Sequence, residues 1–115
     1  MKLLAIPNFG ERISPRLDYA ESLQLVTIES NIIVKKETIK IIAHSNLERI
    51  NLIIGLKPDI VICDGISDLT HTKLTENNIE VIPWIHGTIG EVLRNYLDGK
   101  ILTNKVKTIN KNVKD

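Results

Sequence analysis

The side chains of this 115-residue chain best suited to chemistry are few: one cysteine, Cys63; three histidines, His44, His71 and His86; and two arginines, Arg12 and Arg16, in an irregular stretch near the start. Thiolate and imidazole are ligands for iron, copper and zinc, so Cys63 and His86 are the candidate metal ligands. Two guanidinium groups four residues apart suit a phosphate, sulfide or carboxylate, so Arg12 and Arg16 are candidate anion contacts. Each has a plainer reading. Cys63 closes the apolar run Ile60-Val61-Ile62 and could be a small core hydrophobe. His86 precedes a capped helix and could bond only a backbone carbonyl, although an imidazole at a strand-to-helix turn is well placed to reach a ligand. His44 has the same setting behind a strand that could be an edge. His71 falls inside a weak helix and is expected in solvent. Arg16 could pair with Asp18 or Glu21 and simply hold its loop. Asp18 and Asp64 have no separation fixed by the sequence and make no case for an acid pair. No G-x-G-x-x-G, Walker A, G-x-S-x-G, H-E-x-x-H or C-x-x-C motif is present.

The elements that must position these groups alternate. Residues 3–6 form a short apolar strand ended by Pro7, followed by an irregular loop, 7–20, of a length that in a small domain tends to be functional. Residues 22–29 and 32–43 read as two hairpin arms joined at Ser30-Asn31, the second interrupted near Lys35–Thr38. The period then changes. Ser45-x-x-Glu48 is a capping box, Leu47, Ile50 and Ile54 follow at helical spacing, and Pro58 marks the stop. Residues 60–63 are apolar on both faces, as a central parallel strand requires. A weaker helix over 67–77 and a strand over 79–85 follow. Thr88-x-x-Glu91 then opens a last helix with the stripe Ile89, Val92, Leu93, Tyr96, Leu97, closed by Gly99. The order β-β-β-α-β-α-β-α specifies an α/β fold on a mixed sheet, in one domain over residues 1–102. In such sheets ligands bind beyond the carboxyl ends of the parallel strands, which is where the Arg12–Asp18 loop, His44, Cys63-Asp64 and His86 fall. The tail 103–115, with Lys105, Lys107, Lys111 and Lys114, reads as a solvated end or as a docking arm for an acidic partner.

Composition removes several function classes. Fifteen Lys and Arg against 14 Asp and Glu leave no basic excess for a nucleic-acid binder. A single cysteine permits no internal disulfide and no all-cysteine cluster site within one chain. No apolar run reaches membrane-spanning length, and the start MKLLAIPNFG lacks a small-residue cleavage site, so the expectation is a cytoplasmic protein without signal peptide or membrane contact. Ribonuclease-H-type catalysis needs a carboxylate on the first strand to hold Mg²⁺, and KLLAI offers none.

Three stretches carry a family likeness: KLLAIPNFGERISPRLDYAESLQLVTIE, with Ser14, Arg16 and Ala20 as a Ser-x-Arg-x-x-x-Ala core; LKPDIVICDGI; and the segment from Asn77 through His86 to Tyr96 and Gly99. In order and spacing they resemble the dinitrogenase iron–molybdenum cofactor biosynthesis family, which includes the NifX-like and NafY-like carriers and the C-terminal part of NifB. The resemblance implies a three-layer, ribonuclease-H-like α/β fold with a five-stranded mixed sheet. It also implies non-enzymatic binding or carrying of an iron–sulfur cluster or iron–molybdenum cofactor precursor. The carriers have a Gln-His-Phe-Gly stretch in the first loop whose histidine is implicated in cluster binding; here Pro15-Arg16-Leu17-Asp18 stands there, with Arg16 at the histidine's place. An arginine does not deprotonate and holds an anion by charge. Cofactor contacts are therefore expected at Arg12, Arg16, Cys63 and His86, with metal ligation at Cys63 and His86. One thiolate and one imidazole underfill a cluster, so a homodimer or outside ligands would complete it. A cluster donor or acceptor protein is the expected partner. The alternative is a metal-free small-anion or protein-interaction module on the same fold.

Overall fold

Side chains alternate across a strand, and in this chain both alternating sets are aliphatic, so the sheet needs cover on both faces. The computed structural model describes residues 1–101. The strands are β1 (Lys2–Phe9), β2 (Arg12–Ile13), β3 (Ser22–Glu29), β4 (Ile32–Lys40), β5 (Ile60–Ile62) and β6 (Glu80–Ile82). The helices are α1 (Asn46–Leu56), α2 (Asp68–Glu76) and α3 (Ile89–Leu97), with a single 3₁₀ turn at Leu17–Tyr19. The sheet order is β4-β3-β1-β5-β6, with the two-residue β2 paired to the end of β1. β3 lies antiparallel to β1 and β4, while β5 and β6 run parallel to β1.

One face buries Ala5, Leu23, Leu25, Val61 and Val81 against Ile50 and Ile53 of α1 and Leu74 of α2. The other buries Leu4, Ile6, Val26, Ile62 and Ile82 against Ile89, Val92 and Leu93 of α3. This is the three-layer α/β architecture the sequence predicts, with five principal strands and β2 as a sixth, minor one. Each such side chain taken fully from water contributes about 1.5–3 kcal/mol, so the two cores rather than local propensity hold the short strands β5 and β6.

Several boundaries differ from the sequence reading. Pro7 does not end β1. Its carbonyl accepts from Ser14 N–H on the side where β5 has already stopped, so the missing proline N–H breaks no bond to β3. Residues 7–20 are consequently a strand end, a tight hairpin and a 3₁₀ turn rather than one irregular loop. The interruption expected near Lys35–Thr38 is a bulge: Thr27 pairs with Lys35 and Ile28 with Ile33, leaving Val34 extra. β4 ends at Lys40 rather than near residue 43, and β6 covers three residues, not seven. His71 is half-buried instead of solvent-exposed. The basic segment 103–115 lies outside the described residues.

Candidate functional site

The carboxyl ends of β1, β5 and β6 form one rim, and three backbone contacts draw their loops together. Arg16 pairs with Gly65 through two hydrogen bonds, Gly65 N–H to Pro15 O at 2.9 Å and Leu17 N–H to Gly65 O at 2.8 Å. Arg12 pairs with Thr88, and Ile13 N–H donates to Gly87 O at 3.0 Å. Trp84 N–H donates to Asp64 O at 3.1 Å. The first approach requires glycine: a Cβ on Gly65 would stand 2.8 Å from Pro15 O. Arg12 and Arg16, and His86 seventy residues further on, thus all leave the same end of the sheet and are exposed.

Arg16 is held but not hidden. Its Nη2 lies 3.2 Å from Asp18 Oδ2, its guanidinium carbon lies 5.7 Å from the centre of the Tyr19 ring, and half of its side chain stays in solvent. The sequence left Arg16 a choice between Asp18 and Glu21; the structure gives it Asp18. His86 Nδ1 lies 3.9 Å from Asp64 Oδ2. That distance is beyond a hydrogen bond, and the imidazole stays largely in solvent. Arg12 lies close enough to Glu91 to help hold that carboxyl below the usual carboxylate range, an effect led by hydrogen bonds from Thr88 in the α3 capping box. Beside the rim, between residues 84–86 and α3, a cleft of about 650 Å³ opens, lined by His86 and Arg94.

Cys63 does not join this group. Its backbone is at the rim, with N–H donating to Ile82 O and O accepting from Ile85 N–H, but its side chain enters the core beneath α1 and α2 and has no exposed surface. Burial, with the negative charges of Asp64 and Asp18, pushes the thiol up to about 12. A ligand must be a thiolate that reaches its metal, and this group satisfies neither condition. The expectation of Cys63 as metal ligand and cofactor contact is corrected accordingly. His44 stays exposed beyond β4, its N–H bonded to Glu48 Oε1 at 2.9 Å, and is not drawn in with His86. Among the described residues no three His, Cys, Asp or Glu side chains come together as a metal centre.

One functional-looking residue was underweighted by sequence. Asp18 is buried and gathers the rim's supports. Its Oδ1 accepts from Thr70 Oγ1 at 2.6 Å and Ser67 Oγ at 3.2 Å, and its Oδ2 accepts from Ser67 N–H at 3.0 Å. Arg49 donates to the carbonyls of Asp18 and Ala20. Burial acts to raise the carboxyl's pKa, but the hydrogen bonds from Thr70 and Ser67, aided by Arg16, outweigh it and leave it below the ordinary value. Asp18 therefore fastens the Arg16 loop to the start of α2. The signal was faint: Ser67-x-x-Thr70 looks like any helix start.

A family model described as dinitrogenase iron–molybdenum cofactor matches residues 1–99. The chain belongs to that family. Solved structures agree on the fold. The dinitrogenase iron–molybdenum cofactor domain described here superposes on the protein PH0822 with a TM-score of 0.82 at 20% identity, over 88% of this chain and 93% of that one. It matches a candidate dinitrogenase of Methanocaldococcus jannaschii at 0.74 and 17% identity, over 90% and 95% of the two chains. It matches the apo form of the orange protein of Desulfovibrio gigas at 0.74 and 15% identity, over 90% and 92%. At these identities the likeness is one of fold. No curated protein matches the chain.

Proposed function

We propose that this family member binds and carries an anionic metal–sulfur cluster or iron–molybdenum cofactor precursor, without catalysing a reaction on it, and that it holds its cargo chiefly by charge. The observation that supports the reading is that Arg12, Arg16 and His86, all exposed, belong to loops at the rim where parallel α/β sheets bind ligands. Arg16 and Arg12 would supply charge-assisted hydrogen bonds to sulfide or oxo groups, and His86 Nε2 one metal ligand, with Asp64 behind its other nitrogen. The donor set fits an anion brought ready-made better than a cluster built on protein thiolates. A donor or acceptor protein for the cargo and a cytoplasmic setting accord with this role.

Anaerobic titration with tetrathiomolybdate, a coloured molybdenum–sulfur dianion, tests it. The protein should retain colour through gel filtration. Arg16→Gln and His86→Ala should each weaken retention about tenfold or more, as expected for a lost contact to a charged group, whereas Cys63→Ala should retain it. Colour lost at the first buffer exchange would end the reading.

A second reading, a metal-free small-anion or protein-interaction module, draws on the missing three-ligand group among the described residues. It predicts sulfate binding as tight as tetrathiomolybdate binding.

A further inference from the structure

Three of the four aromatic residues, Phe9, Tyr19 and Trp84, are 75%, 74% and 65% exposed. Trp84 follows β6, while Phe9 and Tyr19 both line a cleft of about 320 Å³ at the end of β1. The polar part of that lining says what would fit between the rings. Asn8 and Ser14 line the cleft and are each only 7% exposed, and Ser22 stands with them. Both serine hydroxyl hydrogens are spent within the protein. Ser22 Oγ donates to Asn8, 2.9 Å from Oδ1 and 3.1 Å from O, and Ser14 Oγ donates to Arg16 O at 3.3 Å. A hydroxyl has one donor and two acceptor sites, so what each retains is lone pairs. Glu21 is the one charged residue of the lining. Its neighbouring cations are engaged elsewhere or held off. Arg16 pairs with Asp18, and Arg49 donates to the carbonyls of Asp18 and Ala20. Lys40 lies opposite Ser22 on β4 and is not part of the lining. Among the described residues Glu21 thus makes no ion pair, and it stands exposed.

We propose that this cleft binds a primary alkylammonium group, the head of a lysine side chain or of a free amine. An ammonium has three donors and no acceptor, which matches walls that offer lone pairs and one unpaired carboxylate. Its methylene stem lies along the rings of Phe9 and Tyr19, and an aromatic face attracts a cation. Tyr19 already draws one cation of its own chain, the Arg16 guanidinium, whose carbon lies 5.7 Å from the ring centre. An anion would meet Glu21 with no cation in the lining to answer it, and a wholly apolar ligand would strip water from that carboxylate without replacing it. The site does not depend on the cargo reading, but it adjoins that rim. Tyr19 belongs to the same 3₁₀ turn as Asp18, so a lysine docked here would stand beside the Arg16 loop.

Amide chemical shifts of the isotopically labelled full chain, titrated without any metal anion, test the proposal. The probes are n-butylammonium and Nα-acetyl-lysine N-methylamide. Both should give saturable shifts at residues 8–10 and 19–22. Acetylating the Nε of the lysine probe removes the charge and keeps the stem, and should weaken binding about tenfold or more. Glu21→Gln, at an exposed position that leaves the fold intact, should do the same. Tyr19→Leu should weaken binding about twofold to fivefold, the weight of an exposed cation–π contact. Lysine-probe binding at least as tight as that of butylammonium assigns the site to a protein lysine, and weaker binding assigns it to a free amine. Shifts that do not saturate, that fall on other residues, or that persist unchanged after acetylation or in Glu21→Gln overturn the proposal.

Discussion

Asp18 shows how one carboxylate can position a site without taking part in it. Removing it strands Thr70, Ser67 and the first turn of α2, so Asp18→Ala should lose about 2–3 kcal/mol of stability, the usual consequence of unpartnering buried groups around a charge. Urea unfolding followed by circular dichroism would measure it. The pH dependence has a fixed sign. The folded carboxyl titrates below its unfolded value of about 3.9, so its stabilisation is complete above that value and drains away as pH falls through the folded one. Asp18→Asn should flatten that part of the acid-unfolding curve, and an unchanged curve would remove Asp18 from this role. Cys63 predicts the converse of a reactive thiol: a disulfide reagent should label it only as fast as the protein opens, and strict dependence on urea concentration would show this. These two residues also mark where sequence reading reached its limit. An apolar run ending in cysteine leaves open whether Sγ faces core or rim, because the turn after the strand, not the run itself, settles where its last side chain points. Asp18 drew no weight because its partners lie 49 and 52 residues away.

The elements were more legible than their edges. The N-cap at Ser45, the capping box at Thr88, the turn at Ser30-Asn31 and the stripe on α3 were all readable, because each is set by neighbours within four residues, although Glu48 bonds His44 N–H and leaves the box expected at Ser45 half formed. Pro7 and the Val34 bulge were misjudged because strand neighbours, not local sequence, settle them. Gly65 belongs to this scale. Nothing in the sequence near it marks the contact with Pro15 that forbids a side chain, because another loop makes that contact. Gly65→Ala should force that loop outward and lower stability by about 1–3 kcal/mol, as overpacking does. Chemical-shift changes concentrated at residues 14–18 would confirm the path, and changes confined to residues 63–67 would refute it. Thr88→Ala removes the α3 cap and should lower stability by about 1 kcal/mol, read as a shift in urea midpoint at constant m-value.

At the scale of the molecule, the order β4-β3-β1-β5-β6 places β1 at the centre with partners on both sides, and the rim at the one end where its loops meet β5 and β6. The edges of this sheet are guarded differently. β6 is only three residues long and runs into Pro83, while β4 carries its bulge together with Lys35, Lys36 and Lys40. Both devices discourage open-ended strand addition. The placement of the aromatics has one more consequence, for anyone who tries to watch this protein unfold. The indole already sits largely in water when the chain is native, so its emission should begin near the wavelength of the denatured state and scarcely move through the transition. A melt recorded by intrinsic fluorescence would look flat for a protein that is folding cooperatively, and the transition would show itself only to probes of the backbone.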